Sequence, residues 1–248
     1  ALVFGDMRTA SVWGVLPCLW AVRPNYTDPG YWNRTYAEKR NATFDWLLQW
    51  ADLKPVVGHL MPKDARILQL GCGNSRLAED LAKDGFEDVL SVDISAAVIA
   101  DMKAKYASVH PTLKWEVADV TDMRAVESRN FSVAVDKGTW DALPKTLSRK
   151  YLTELRRVLV ESGRFICVTF SPPEISRRYF LEAGWPCEHH SVPNPHKDQL
   201  GDGLESSIKT LQVYVCKNED SQEDPEEEDL QEALANLRRI AAQARGEL

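Results

Sequence analysis

Two glycines separated by one residue follow a short apolar run in the first half of the chain. The run covers residues 67–70 (ILQL) and leads into Gly71-Cys72-Gly73, after which apolar residues recur at helical spacing. A buried parallel strand that turns tightly into a helix has this pattern, and the backbone N–H groups of such a turn can meet a ligand. We therefore predict a ligand-binding turn at Gly71 and Gly73.

An acidic residue closes the next apolar run. Asp93 lies about 20 residues after the glycines, where a carboxylate can accept both hydroxyls of a ribose. A dinucleotide fingerprint would require a third glycine where this chain has Arg76, because that glycine permits the close packing that a pyrophosphate needs. The pattern therefore indicates a nucleoside cofactor without phosphates, and S-adenosylmethionine is the cofactor we predict.

Acidic side chains also stand where two later strands are predicted to end. Asp119 follows one of these strands and Asp136 closes the other. Ligands of parallel α/β sheets bind outside the carboxyl ends of the strands, so we expect both residues near Asp93. Asp119 or its backbone could accept from an adenine amino group, and a methyl acceptor would approach beyond Asp136.

The elements that position these residues alternate between strand and helix. Apolar periodicity predicts strands over 67–71, 89–93, 113–118, 131–136 and 164–170, and helices over 75–84, 95–107 and 148–160. This rhythm indicates a Rossmann-like, doubly wound α/β fold. Two further predicted strands, 185–191 and 209–216, would end the sheet antiparallel, which makes the seven-stranded architecture of class I methyltransferases.

The charge distribution limits the partners and divides the chain. The net charge is −7, and residues 217–248 hold 10 acidic and 4 basic side chains, so the remainder is nearly neutral. A nearly neutral domain argues against nucleic acid as the principal partner. No apolar stretch reaches the roughly 20 residues of a membrane span, so no membrane contact is expected.

We expect three parts in this chain. Residues 1–24 form a poorly ordered leader with faint transit-peptide character, and residues 25–216 form the methyltransferase domain with an N-terminal aromatic helical segment. Residues 217–248 form an acidic tail that ends in an amphipathic helix. The tail either docks on a partner or is a marginal helix in a mobile segment.

The five cysteines are scattered and include no C-x-x-C pair. This usage predicts reduced thiols in a reducing compartment. Cys187, His189, His190 and His196 could together supply zinc ligands, but we expect a polar loop with ordinary histidines and no metal.

Aromatic residues are concentrated before the first strand. Trp32 and Tyr36 share one helical face, and Trp46 and Trp50 repeat the four-residue spacing. The segment either caps the sheet edge or closes over a cationic ligand, since a sulfonium is attracted to aromatic faces.

Several runs resemble the seven-strand protein-lysine methyltransferases that act on translation elongation factor 1-alpha. The resemblance covers roughly residues 25–216, and the runs are 31–36 (YWNRTY), 44–46 (FDW), 70–75 (LGCGNS), 91–95 (SVDIS), 136–139 (DKGT), 157–159 (RVL) and 214–216 (YVC). It implies a cytoplasmic enzyme that transfers a methyl group from S-adenosylmethionine to a lysine of a protein. The cofactor contacts that it implies are Trp32, Tyr36, Trp46, Gly71, Asp93, Ile94, Asp119, Val120 and Lys137, to which the turn adds Gly73.

The substrate stays open at this stage. At Ile94 an aromatic residue is also seen in the family, and Trp140 brings the chain closer to the related methyltransferase of mitochondrial citrate synthase. The alternatives are therefore citrate synthase in mitochondria, a small molecule, or a methyltransferase-like scaffold without turnover. Trp140 could wall a narrow lysine channel, with Asp136 or Asp141 orienting the amine. No general base is required, so no catalytic residue is assigned.

Overall fold

Strands and helices alternate along residues 24–38, 45, 47–195 and 208–219, the part of the chain that this computed structural model describes. The strands are β1 (Ile67–Leu70), β2 (Val89–Asp93), β3 (Lys114–Val117), β4 (Phe131–Lys137), β5 (Leu159–Thr169), β6 (Cys187–Pro193) and β7 (Thr210–Lys217). The α-helices are α1 (Pro29–Glu38), α2 (Trp50–Val57), α3 (Leu77–Lys83), α4 (Ala96–Tyr106), α5 (Thr139–Ala142), α6 (Ser148–Val158) and α7 (Pro173–Glu182).

The strands form one sheet in the order β3-β2-β1-β4-β5-β7-β6. Strands β1 to β5 pair in parallel, whereas β7 is antiparallel to both β5 and β6. The predicted seven-stranded sheet with an antiparallel last strand is thus confirmed. The strand order reverses between β1 and β4, which creates the switch point where ligands of such sheets bind.

Helices cover both faces of the sheet, which explains why its central strands are apolar on both sides. All residues of β1 and β2 are buried. Leu53, Leu81 and Met102 of α2, α3 and α4 pack on one face. The other face packs against α5, α6 and α7, with Trp140 and Leu155 among the contacting side chains.

Apart from shifts of a few residues at element ends, the observed elements differ from the prediction in two respects. Helices α2, α5 and α7 were not predicted. Helix α5 is a single turn, too short to show a periodic pattern. Helix α7 begins at Pro173, next to Pro172, and two adjacent prolines are typical of a loop, although proline is tolerated in the first turn of a helix. Strand β5 starts at Leu159 because it continues through an irregularity at Ser162, whose φ is +61°.

Cys187 and Cys216 lie directly opposite each other on β6 and β7, and their sulfur atoms are bonded. The prediction of reduced thiols is therefore wrong for this pair. The two cysteines are 29 residues apart in the chain, and only the register of β6 and β7 brings them together. Cys72 and Cys167 are free and buried. Disulfides are rare in cytosolic proteins, so the cysteines no longer support a reducing compartment.

The predicted leader and tail fall almost entirely outside the described residues, which begin at Pro24 and end at Glu219. Among the helices that are described, none has the length and the apolar character to cross a bilayer.

The Asn218 side chain, just after β7, forms hydrogen bonds with the backbone where α6 ends and β5 begins. Its Nδ2 donates to the carbonyl oxygens of Arg156, Leu159 and Val160 at 3.2, 3.1 and 3.0 Å. We expect Asn218→Ala to lower the free energy of unfolding by about 1–3 kcal/mol, because these carbonyls lose their donor. Urea denaturation measures the loss, and Glu219→Ala is the matched control because its side chain is exposed. Equal midpoints for the two variants would contradict this role.

Candidate active site

The turn that follows β1 requires glycine at both predicted positions. Gly71 and Gly73 have φ of +57° and +50°, a region where other residues are strained. A Cβ on Gly71 would overlap Thr139 Oγ1, and one on Gly73 would lie 2.6 Å from the hydroxyl oxygen of Tyr36. The turn is therefore packed between the start of α5 and helix α1.

Asp93 binds this turn to the start of α4. The N–H of Gly73 donates to Asp93 Oδ2 and the N–H of Ser95 donates to Oδ1, both at 2.9 Å. The Gly73 N–H is thus already paired and is not free for a ligand, contrary to the prediction. Burial raises the pKa of Asp93, against the lowering effect of these N–H groups. A carboxylate offers about four acceptor positions, so Asp93 keeps capacity for ribose hydroxyls.

Helix α1 lies over the glycine turn and carries two of the predicted aromatic residues. The rings of Trp32 and Tyr36 are stacked with centroids 5.9 Å apart, and Trp32 Nε1 donates to the carbonyl of Tyr26 at 2.8 Å. Burial, and next the Asp93 carboxylate, raise the pKa of Tyr36 well above its ordinary value. The Tyr36 hydroxyl therefore lies close to both Gly73 and Asp93.

Asn33 attaches α1 to α4, a contact that sequence reasoning missed. Its Oδ1 accepts from Ser95 Oγ at 2.8 Å and from the N–H of Ala97 at 3.2 Å. Two first-turn donors of α4 are satisfied in this way, because Ser95 Oγ also accepts from the N–H of Val98. The signal that could have identified Asn33 as a residue of this site is its position next to Trp32 in the chain.

Three predicted cofactor contacts lie beyond the ends of β2 and β3. Ile94 is half-buried next to Asp93, and Val120 is buried. Asp119 is exposed, and its Oδ1 accepts from both the N–H and the hydroxyl of Thr121 at 2.8 Å. The parallel register of β2 and β3 brings all of them to the same sheet edge as Asp93.

Lys137 ends β4 with a buried side chain, of which 5% is exposed. Its ammonium contacts Asp45, 3.1 Å away, from the segment before α2. Asp45 lies between the predicted residues of that aromatic segment but was not itself predicted. The neighbouring Trp46, a predicted contact, lies outside the described residues.

Asp136 points to the opposite face of β4 and is completely buried. Its carboxylate accepts from the N–H groups of Thr139 and Trp140 at the start of α5, at 2.8 and 2.9 Å. The Tyr151 hydroxyl donates to Oδ2 at 2.5 Å. Because these donors and the core enclose it, Asp136 cannot orient an acceptor amine, and that expectation is wrong. Burial raises the pKa of Asp136 to about 7.

Trp140 is also completely buried, so it does not wall a channel open to solvent. Its ring packs on Phe180 with centroids 5.0 Å apart, and Nε1 donates to Ser176 Oγ at 3.2 Å. In the sequence its position after Asp136 suited a substrate contact, but the first turn of α5 directs it into the core.

Asp141 is the half-buried carboxylate of α5. Thr169 Oγ1 donates to its Oδ1 at 2.5 Å and the N–H of Phe170 donates to Oδ2 at 3.3 Å, so the end of β5 orients it. Burial raises its pKa to about 6. Lys145 Nζ lies 4.0 Å above the centroid of the Trp140 ring beside it. The Lys145 ammonium therefore covers this face of the Trp140 ring, and Asp141 is the group at this corner that can accept from an incoming amine, as a carboxylate ionised at neutral pH.

The four side chains considered for zinc do not converge in the described residues. Cys187 is bonded to Cys216, and His189 Nε2 bonds Gln212 Oε1 at 2.7 Å. His196 lies outside the described ranges, within which no group of three or more His, Cys, Asp or Glu could hold a metal.

The surroundings of the glycine turn fit S-adenosylmethionine. Asp93 at the end of β2 is a carboxylate beside the turn, whereas Asp45 is paired with Lys137. The negative charge of Asp93 disfavours phosphates and suits a sulfonium. Asp93 offers acceptors for ribose hydroxyls, and Tyr36 and Trp32 offer aromatic faces. When bound, the cofactor supplies a methyl group on a positively charged sulfur.

We expect Asp93→Ala to weaken binding of S-adenosylhomocysteine by several kcal/mol, because charge-assisted hydrogen bonds to the ribose are lost. Calorimetry measures the affinity. Circular dichroism establishes that the variant is folded, a necessary control because Asp93 also binds Gly73 and Ser95. Wild-type affinity in the folded variant would remove Asp93 from the cofactor site.

The burial of Asp136 predicts a pH dependence of stability. Its pKa is about 7 in the folded chain and about 3.9 in an unfolded one. Between these values the folded state keeps a proton that the unfolded state has lost, so the free energy of unfolding falls as pH rises, by up to about 1.4 kcal/mol per pH unit.

Urea titrations of the wild type and Asp136→Asn between pH 5 and pH 8 measure this effect. We expect the stability of the wild type, relative to the variant, to decline from pH 5 to about pH 7 and then to level off, because Asp136 titrates only in the wild type. Contributions of groups remote from Asp136 cancel in the difference. A difference independent of pH would show that Asp136 does not titrate there.

Comparisons with known proteins give the family of this chain. Residues 67–163 match a family described as a methyltransferase domain. EEF1A lysine methyltransferase 4 of Bos taurus is 37% identical over 208 residues, which cover 76% of this chain and 80% of that protein. The bovine eEF1A lysine and N-terminal methyltransferase is 32% identical over 180 residues, 68% of this chain but 26% of that protein.

A solved structure shows the same fold. The 1,6-didemethyltoxoflavin-N1-methyltransferase of Burkholderia thailandensis, with bound S-adenosylhomocysteine, has a TM-score of 0.56 at 17% identity and covers 77% of this chain and 87% of its own. Fold, family match and identity over most of both chains agree. This chain belongs to the class I S-adenosylmethionine-dependent methyltransferases, in the family that includes EEF1A lysine methyltransferase 4, and S-adenosylmethionine is its cofactor.

Proposed function

We propose that this methyltransferase modifies the side-chain amine of a lysine in a protein, and that the protein is elongation factor 1-alpha. The observation that carries the proposal is the 37% identity with bovine EEF1A lysine methyltransferase 4 over 80% of that relative. Relatives named for the same factor in several animals support it.

The order of the strands supports a division of the sheet edge between cofactor and acceptor. Strands β2, β1, β4 and β5 are neighbours in that order. Asp93 at the end of β2 and the glycine turn after β1 lie on the nucleoside side, together with Trp32 and Tyr36 of α1. Asp141 stands beside the ends of β4 and β5, on the far side of the switch point, where an acceptor can approach.

Asp141 is the carboxylate that we assign to the acceptor amine. It accepts an N–H of the amine and stabilises the positive charge that grows on nitrogen as the new C–N bond forms. A free lysine has a pKa of about 10.4, and desolvation of the amine against the protein favours its neutral, reactive form. The released proton passes to solvent. Positioning of the two reactants contributes further, by up to ~7–11 kcal/mol.

The alternative substrate, citrate synthase, rested on Trp140. Because that side chain is enclosed in the core, it has a packing role and does not favour one substrate over another. Elongation factor 1-alpha as substrate implies the cytoplasm as the site of action, and the bonded pair Cys187 and Cys216 is the observation that stands against this compartment. The acidic residues that follow Glu219 remain a proposed contact for a partner, through their charge alone.

Incubation with labelled S-adenosylmethionine and purified elongation factor 1-alpha tests the substrate, with citrate synthase in a parallel reaction. We expect label on a lysine of the elongation factor, located by mass spectrometry, and none with Asp93→Ala. Label on citrate synthase would overturn the substrate assignment. No label on either protein, with intact binding of S-adenosylhomocysteine, would overturn the proposal in favour of a small acceptor or a scaffold.

We expect Asp141→Asn to lower kcat at least tenfold, about 1.4 kcal/mol, because the positive charge on the acceptor nitrogen loses its carboxylate. Affinity for S-adenosylhomocysteine should stay unchanged. Glu174→Gln removes an exposed carboxylate on α7 and serves as control. Equal kcat values for both variants would exclude Asp141 from the reaction.

A further inference from the structure

The ion pair between Asp45 and Lys137 joins segments that are distant in the chain. The carboxylate and the ammonium are 3.1 Å apart, and the two side chains are 9% and 5% exposed. They are separated by 92 residues. Among the salt bridges of the described residues, this is the pair with both side chains buried.

Each member of the pair has a second attachment. Lys137 Nζ donates to the carbonyl oxygen of Leu48 at 2.6 Å. Asp45 accepts from Ser75 Oγ at Oδ1 and from the N–H of Arg76 at 3.4 Å at Oδ2. The pair and its neighbours therefore connect the segment before α2, the exit of the glycine turn and the end of β4.

This connection crosses the switch point of the sheet. Strands β1 and β4 are adjacent, with Leu70 beside Asp136 in register. Ser75 follows the turn after β1, and Lys137 is the last residue of β4, so a residue bound to both spans the two carboxyl ends. Leu48 is 1% exposed and secures the same segment in the core.

A buried pair of this kind is sensitive to the loss of one member. Each charge has left water, and only the partner and its hydrogen bonds compensate for this. Burial lowers the pKa of Lys137, while Asp45 opposes that effect. Removal of one charge leaves the other uncompensated, whereas removal of both leaves a neutral site of similar shape.

We propose that Asp45 and Lys137 are positioning residues, whose ion pair holds Asp45 and Leu48 across the ends of β1 and β4, at the wall of the cofactor crevice. Lys137 then acts on cofactor binding through Asp45 and the Leu48 carbonyl. A direct contact between Lys137 and the cofactor, which the family resemblance implies, is the competing role. The proposal does not depend on the identity of the methyl acceptor.

A double-mutant cycle separates the two roles. The variants are Asp45→Asn, Lys137→Met and the double variant, and titration calorimetry with S-adenosylhomocysteine measures their affinity. We expect each single variant to bind at least tenfold more weakly, which corresponds to about 1.4 kcal/mol. In the double variant we expect a loss no larger than that of the weaker-binding single variant, because no charge is left buried alone while the hydrogen bond from Lys137 to Leu48 is still absent.

Hydrogen exchange of the cofactor-free proteins provides a second readout. Protection of the amides near Leu48 should fall in both single variants, and in the double variant it should fall no further than in Lys137→Met. Arg178→Met, which breaks an exposed pair with Glu182 on α7, is the matched control and should change neither measurement.

Three results would overturn the proposal. Losses of the two single variants that add up in the double variant would show that the residues act independently and would assign Lys137 to direct cofactor contact. Single variants with lower melting temperatures but wild-type affinity would assign the pair to stability alone. Unchanged affinity and unchanged exchange in all variants would remove any role for the pair.

Discussion

The Asp93 carboxylate accepts hydrogen bonds from two backbone segments that form the cofactor crevice, the glycine turn and the start of α4. One oxygen accepts from Gly73 in the turn after β1, and the other accepts from Ser95 at the start of α4. Asn33 then binds α1 to that same helix start, and Tyr36 of α1 covers Gly73. Asp93 therefore connects the glycine turn and α4 directly, and α1 is attached to the same helix start through Asn33.

Adjacent residues at the end of β4 show how strand alternation separates two tasks. Asp136 faces α5 and α6, and it accepts from the N–H of Thr139 in α5 and from the hydroxyl of Tyr151 in α6. Lys137 faces the segment before α2 and contacts Asp45. Both side chains are buried, so neither is free to approach an acceptor, although the sequence motif D-K-G-T invites that interpretation. Asp141, one turn further, keeps partial access to solvent.

The buried charged side chains Asp93, Asp136 and Lys137 position the segments at the carboxyl edge of the sheet, at a cost to the stability of the cofactor-free domain. Burial raises the pKa values of Asp93 and Asp136 and lowers that of Lys137, which means that each charged form is disfavoured by its surroundings. Apolar side chains could fill such positions with less loss of stability. Sites that bind ligands commonly retain groups of this kind, because hydrogen bonds from a bound ligand offset part of the desolvation.

The sequence by itself determined the parallel sheet, its antiparallel ending, the glycine turn and Asp93, because these rest on local periodicity and on fixed spacing between a turn and the next strand end. It also carried the family resemblance through short contiguous runs. Three contacts were decided by tertiary structure alone, because their partners are 62, 92 and 29 residues apart in the chain. They are the hydrogen bond between Asn33 and Ser95, the ion pair between Asp45 and Lys137, and the disulfide between Cys187 and Cys216. No local pattern encodes which distant side chains a strand register or a helix docking angle will bring together.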